Sequence, residues 1–217
     1  MRQGPSLAHN ELTMPGRNIV KQYAEESYYH IYTRGVAKQV IFDEEADYTV
    51  FLGLLKRYLS KAPKKTNSRH TYPNYSDRIE LLCYALMPNH IHLLIYQKDN
   101  RAIVDLLRSA MTSYSMYYNK KYRRVGPVFQ SRYRASRIDT DSYLEHISRY
   151  IHLNPKDWET SNNTSLKYYP KEQRPEWLKP QRILDLFKDM NDYLRFLHDH
   201  KDYKQMLDEI KWELADH

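Results

Sequence analysis

At 217 residues the chain is long enough to bury one substantial core, and it reads as one compact domain with a tail rather than two full domains. Its 34 Lys and Arg against 27 Asp and Glu leave a net charge of +7, which favours a polyanionic partner, and the single cysteine, Cys83, excludes an intrachain disulfide and fits a reducing, cytoplasmic location. No apolar run approaches the roughly 20 residues of a membrane span, and "MRQGPSLAHNELTMPGRN" lacks the apolar core of a signal peptide, so neither membrane insertion nor export is expected.

In chain order, residues 1–22 are polar with Gly4, Pro5, Pro15 and Gly16, and are expected to be flexible; Met14 is an alternative start. "SYYHIYTRG" (Ser27–Gly35), rich in β-branched and aromatic residues, predicts a first strand. "FDEEADYTVFLGLLKRYLSK" spaces Tyr48, Phe51, Leu52, Leu55, Tyr58 and Leu59 as one helical stripe, with acids in the first turn and bases in the last. A loop of breakers and charges, "KAPKKTNSRHTYPNYSD", follows.

"RIELLCYALM" and "HIHLLIYQ" predict two strands joined only by Pro88-Asn89, a tight antiparallel hairpin. "NRAIVDLLRSAMTSYSMYYNKKYRR" predicts a second helix, capped by Asn100, that buries Ile103, Leu106, Leu107, Ala110 and Met111. "PVFQSRYRASRI" alternates as a strand, and "DTDSYLEHISRYIHLNP" reads as a third helix with Leu144, Ile147 and Ile151 inward and Pro155 near its end. From about Trp158 to Pro180 the chain is loop-like, and the remainder, closing with "YKQMLDEIKWELADH", is helical. The order β-α-β-β-α-β predicts an α+β, ferredoxin-like antiparallel sheet with helices on it, in a domain over 23–160 followed by a loop and helical extension over 161–217.

Chemistry concentrates in two places. On a strand, His90 and His92 share a face while Ile91, Leu93 and Ile95 take the other, which is how a strand offers two nitrogens to one metal ion. A second pair, His198 and His200, lies in a helix-like segment where i and i+2 do not face each other, and it is discounted. In the third helix, Tyr150 and Asn154 stand one turn apart beside the apolar stripe.

Two imidazoles and an amide oxygen leave positions open on a divalent ion for a phosphodiester oxygen, and Tyr150 could then attack the phosphorus. A phenol with an ordinary pKa of about 10 needs activation, by a base, the metal's field or a nearby cation. Tyr143, Tyr114, Tyr117 and Tyr118 are the competing nucleophiles in a chain with 21 Tyr against 5 Phe.

From Arg101 to Ile138 the only acid is Asp105, against Arg101, Arg108, Lys120, Lys121, Arg123, Arg124, Arg132, Arg134 and Arg137. The positive field therefore sits mid-chain, as a nucleic-acid groove requires, with Arg34, Arg123, Arg124, Arg132 and Arg134 as candidate DNA contacts and Gln130 as a candidate base reader.

In "YYHIYTRG" followed by "QVIFDEEADYTVFL", in "YALMPNHIHLLI", in "GPVFQSRYRA" and in "YLEHISRYIHLNP", in that order over roughly residues 23 to 160, the chain resembles the single-tyrosine HUH transposases (IS200-like), and within them the branch related to REP-associated tyrosine transposases. The resemblance implies that 23–160 is the catalytic domain, that His90 and His92 are the metal ligands with Asn154 as the third, and that Tyr150 is the nucleophile. It further implies Mg²⁺ or Mn²⁺, a single-stranded or hairpin DNA substrate, a 5′-phosphotyrosine intermediate with a free 3′-OH, and action as a monomer or homodimer.

Thr33 stands where that family often has Asn and Ser131 where it often has Gly, which touches substrate contacts more than chemistry. Two other classes of function remain at this level. One is a hairpin or single-stranded nucleic-acid binder that has lost catalysis, against which the intact His90, His92, Tyr150 and Asn154 argue. The other is a metal phosphodiesterase using water, for which Tyr150 would be dispensable.

Overall fold

The computed structural model describes residues 23–61 and 72–199. The polar N-terminal segment, most of the loop after the first helix, and the closing "YKQMLDEIKWELADH" lie outside the described residues.

The order is β1 (Ser27–Arg34), α1 (Glu45–Leu59), β2 (Ile79–Met87), β3 (His90–Gln97), α2 (Ala102–Lys121), β4 (Arg134–Ile138), α3 (Asp141–Leu153), then α4 (Gln181–Leu184) and α5 (Met190–His198). The four strands form one antiparallel sheet in the order β2-β3-β1-β4, so the expected split α+β pattern is the observed one. Strand parity sorts the side chains. Tyr29, Ile31, Ile91, Leu93 and Ile95 join α1 and α2 in one core, whereas Leu94, Tyr96 and Ile138 join α3 and α5 in another.

A buried carboxylate ties α1 to α2. Asp47 accepts the N–H groups of Asp43 (2.9 Å) and Glu44 (3.0 Å), the hydroxyls of Tyr117 (2.9 Å) and Tyr122 (2.7 Å), and the Lys121 ammonium (2.6 Å). Burial alone would raise this carboxyl, but the hydrogen bonds from Lys121, Tyr122, Glu44 and Tyr117 hold it down at about 2.

Two expectations differ from what is observed. The helix cap expected at Asn100 is provided by its neighbours: the Asp99 carboxylate accepts the Arg101 N–H (3.0 Å) and the buried Gln97 amide oxygen accepts that of Ile103 (3.3 Å). Asp99 is fixed for this by a two-pronged contact from Arg78, with both N–O distances 2.7 Å. The strand expected over 127–138 is regular only from Arg134 on; upstream, after a break, an isolated antiparallel bridge joins Phe129 to Gly35 at the end of β1, with Gln130 N–H to Arg34 O (2.9 Å) and Val36 N–H to Val128 O (2.9 Å). The excursion at 131–133 is what brings Gln130 and Ser131 to the cavity described below.

The extension after α3 covers the open edge of β2. Leu86 N–H reaches Asn163 O (2.9 Å), Lys179 N–H reaches Leu81 O (2.8 Å), and Ser165 Oγ accepts Tyr84 N–H (2.9 Å). No helix among the described residues is long and apolar enough to cross a membrane.

Candidate functional site

The site lies on the α3 side of the sheet, where β3 begins. The Pro88-Asn89 turn is pinned from outside: Pro88 O accepts the Ile41 (2.7 Å) and Phe42 (3.0 Å) N–H groups, and Asn89 O accepts that of Gly35 (2.8 Å). Gly35 has to be glycine, since a Cβ there would sit 2.1 Å from Gln39 O. In the same turn, Ala37 (φ 51°) and Lys38 (φ 60°) are both left-handed, at a cost of roughly 1–2 kcal/mol each. This held turn fixes the first residue of β3, His90.

A cavity of about 430 Å³ opens here, lined by His90, His92 and Tyr150 together with Tyr32, Thr33, Arg34, Lys38, Asn89, Gln130, Ser131 and Arg134. The rings of His90 and His92 are perpendicular, with centroids 5.0 Å apart. Tyr150, buried on α3, sets its ring edgewise to His92 at 5.3 Å. Asn154, just past the end of α3, places its Oδ1 3.1 Å from His90 Nε2. The helix is started by Thr140, whose Oγ accepts the Tyr143 N–H (3.3 Å).

The donor chemistry fits a cation. His90 is flanked by two amide oxygens, Asn89 Oδ1 at 2.7 Å from Nδ1 and Asn154 Oδ1 at 3.1 Å from Nε2. Burial, only partly countered by the Asn154 contact, lowers the His90 pKa, so the ring is neutral with a single N–H. When that proton is on Nδ1, Nε2 and Asn154 Oδ1 both have a lone pair to offer one cation. Among the described residues no group of three His, Cys, Asp or Glu side chains is placed to hold one metal ion.

The remaining candidates divide. Arg34 donates through Nε to Gln130 Oε1 (2.7 Å), which places both at the cavity rim with Arg134. Arg123, Arg124 and Arg132 are not in the lining: Arg124 donates to Gln39 Oε1 (2.8 Å) and lies over Tyr118 (5.5 Å), and Arg123 and Arg132 are exposed. Of the competing tyrosines, Tyr114 and Tyr118 are buried in the opposite core, where Tyr114 donates to Ile41 O, and Tyr117 is committed to Asp47.

Sequence reasoning missed His30, Tyr32, Lys38 and Asn89. His30 is fully buried, its Nε2 2.9 Å from His92 Nδ1, and burial pushes its pKa down to about 3. Burial, with His30 and His90 nearby, also carries His92 well below the usual range. The signal was present in "SYYHIYTRG", where Tyr28, His30, Tyr32 and Arg34 alternate onto one face, and in the register that sets Tyr32 opposite His92 and Arg34 opposite His90.

No curated protein matches the sequence. Among solved structures, the fold is similar to that of a REP-associated tyrosine transposase bound to a REP hairpin, at 12% identity over 72% of this chain and 87% of that one, with a TM-score of 0.52. The family model described as "Transposase IS200 like" matches residues 23–154, more than half of the chain, and with the sheet order and the site in place the protein belongs to the IS200-like transposases.

Proposed function

We propose that this transposase is a single-stranded DNA endonuclease and strand transferase in which Tyr150 is the nucleophile, His90, His92 and Asn154 hold Mg²⁺ or Mn²⁺, and the substrate carries a hairpin. The observation that carries the reading is the packing of Tyr150 against His92 in the cavity where His90 meets Asn154. The solved relative bound to a REP hairpin supports the choice of substrate.

In this mechanism the Tyr150 phenol loses its proton and its oxygen forms a bond to the scissile phosphorus. The bond from phosphorus to the 3′ oxygen breaks, and that oxygen leaves as a 3′-OH after taking a proton. His90, His92 and Asn154 would hold the ion, which when bound would supply Lewis acidity toward the scissile phosphate. Arg34 and Arg134 at the rim hold the flanking phosphates, and Gln130, oriented by Arg34, faces the bases. Because the 5′-phosphotyrosine ester retains the energy of the phosphodiester, another 3′-OH can reverse the step, so the same site cuts and joins.

The test is an adduct assay with labelled hairpin-bearing single-stranded DNA and Mn²⁺ or Mg²⁺. A labelled, EDTA-sensitive band at protein mass, absent in Tyr150→Phe, is expected. Cleavage that persists undiminished in Tyr150→Phe without an adduct would mean water is the nucleophile; binding without any cleavage would mean a pure binding module.

A further inference from the structure

We infer that His30 is a positioning residue that sets the tautomer of His92, keeping the proton on Nδ1 so that Nε2 presents its lone pair to the cavity. The inference rests on the reading of His92 as a metal ligand. It starts from one hydrogen bond, 2.9 Å between His30 Nε2 and His92 Nδ1, with the two rings inclined by only 20°. Only one proton fits between two nitrogens at that distance.

A neutral imidazole that ligates through Nε2 has to carry its proton on Nδ1, and it ligates best when that N–H has an acceptor. His30 Nε2 is the acceptor within reach. If His30 donated instead, His92 would carry its proton on Nε2 and could not ligate there. The strands make this pairing reproducible: His30 is opposite Leu94, and His92 is its diagonal neighbour on the same face of the β1–β3 ladder.

The core gains little from His30 beyond one hydrogen bond. It is fully buried, and with Nε2 accepting from His92 its own proton lies on Nδ1, which has no hydrogen-bond partner among the described residues. That buried N–H lowers stability, so the contact that favours a histidine here is its acceptance from His92. What an apolar ring lacks is an acceptor for His92.

The experiment is an EPR titration of Mn²⁺ into the full-length wild type, His92→Ala, His30→Phe and His30→Gln, with melting curves and hairpin-oligonucleotide binding in EDTA measured in parallel. His30→Phe is expected to weaken Mn²⁺ binding by about 10- to 100-fold, the usual effect of losing such a supporting contact, with metal-free DNA affinity not reduced and the melting temperature lowered by no more than the loss of one buried hydrogen bond, a few degrees. His30→Gln, whose amide oxygen can take the place of Nε2 as acceptor, is expected to restore most of the affinity. Wild-type Mn²⁺ affinity in His30→Phe would overturn the inference. Wild type binding Mn²⁺ no better than His92→Ala would instead overturn the metal reading beneath it. Should His30→Phe fail to fold, ¹⁵N NMR of the metal-free wild type decides: a His92 proton on Nδ1 before any metal is added supports the assignment, and one on Nε2 overturns it.

Discussion

The two faces of the sheet are made by alternate residues of the same strands, yet they bury different material. Toward α1 and α2 lie Tyr29, Ile31, Leu81, Ile91, Leu93 and Ile95, and the buried carboxylate there, Asp47, has five hydrogen-bond donors. Toward α3 lie His30, His92, Ser148, Arg149 and His152, with one His30 nitrogen unpartnered. The first face is mostly apolar and its buried carboxylate is well bonded, as suits a face that supplies stability, although Tyr84 Oη in that core has no partner among the described residues. The second carries polar groups whose burial costs free energy, and it holds the helix bearing Tyr150 in place through them: His152 bonds to Tyr193 Oη and Ser165 Oγ (both 2.7 Å), and Arg149 donates to the carbonyls of Phe196 (3.2 Å) and Asp199 (2.9 Å). One residue of register separates the two roles, which is why a sheet can be stable and chemically equipped at once.

The largest expected effect breaks the α3 face without touching the other. Tyr150→Phe should reduce adduct formation by roughly 10³-fold or more, as loss of a nucleophile does, while the melting free energy changes by less than about 1 kcal/mol. Denaturing gels and calorimetry on the same preparation check both halves of that statement.

Asp47→Asn is the converse. Leaving Lys121 and two tyrosines around a neutral amide should cost about 3 kcal/mol and lower the melting temperature by roughly 6–12 °C for a chain of this size. Cleavage per folded molecule should stay near wild type at temperatures where the variant is folded. The pH dependence follows from the folded pKa of about 2, depressed from the ordinary 3.8. A depressed carboxylate stabilises fully above its unfolded pKa, so the advantage of wild type over Asp47→Asn should be constant above about pH 4 and fade as the pH falls toward 2. Denaturant midpoints of the two proteins across pH 2–6 measure it.

Neighbouring leucines sharpen the contrast. Leu93 faces α1 and α2, Leu94 faces α3, and both are buried. Leu93→Ala and Leu94→Ala should each cost about 2–5 kcal/mol, but only Leu94→Ala, which leaves a void opposite His30, should also slow cleavage at temperatures where both are folded. Equal activity losses in the two would mean that the faces are not functionally separate.

Much of this partition was readable in the sequence, because period-two alternation decides it: His90 and His92 against Ile91, Leu93 and Ile95 is visible in eight residues. The one-turn spacing of Tyr150 and Asn154 was equally legible. What was hidden depends on partners distant in sequence. His30 differs from an ordinary core histidine only through the β1–β3 register, which no local pattern states. The break upstream of β4 is set by where Phe129 bridges back to Gly35 at the end of β1, and the cap at Asp99 follows from Arg78, 21 residues away. The family resemblance named the site from local motifs, but these supporting contacts lie outside those motifs.

The smallest effect tests how firmly the α3 face holds its helix. Thr140 caps α3 through one hydrogen bond to Tyr143, ten residues before Tyr150. Thr140→Ala should cost about 1 kcal/mol, or roughly 2–4 °C, and Thr140→Ser, which keeps the oxygen, should recover most of it. If the helix were positioned mainly from its start, the lost cap would also displace Tyr150 and slow cleavage steeply. The buried contacts of His152 and Arg149 flank Tyr150 directly, on either side in sequence, whereas the cap lies more than two turns away. Cleavage by Thr140→Ala should therefore fall less than about threefold, under 1 kcal/mol, and a tenfold loss would show that the tyrosine is held from the cap and not from the C-terminal elements.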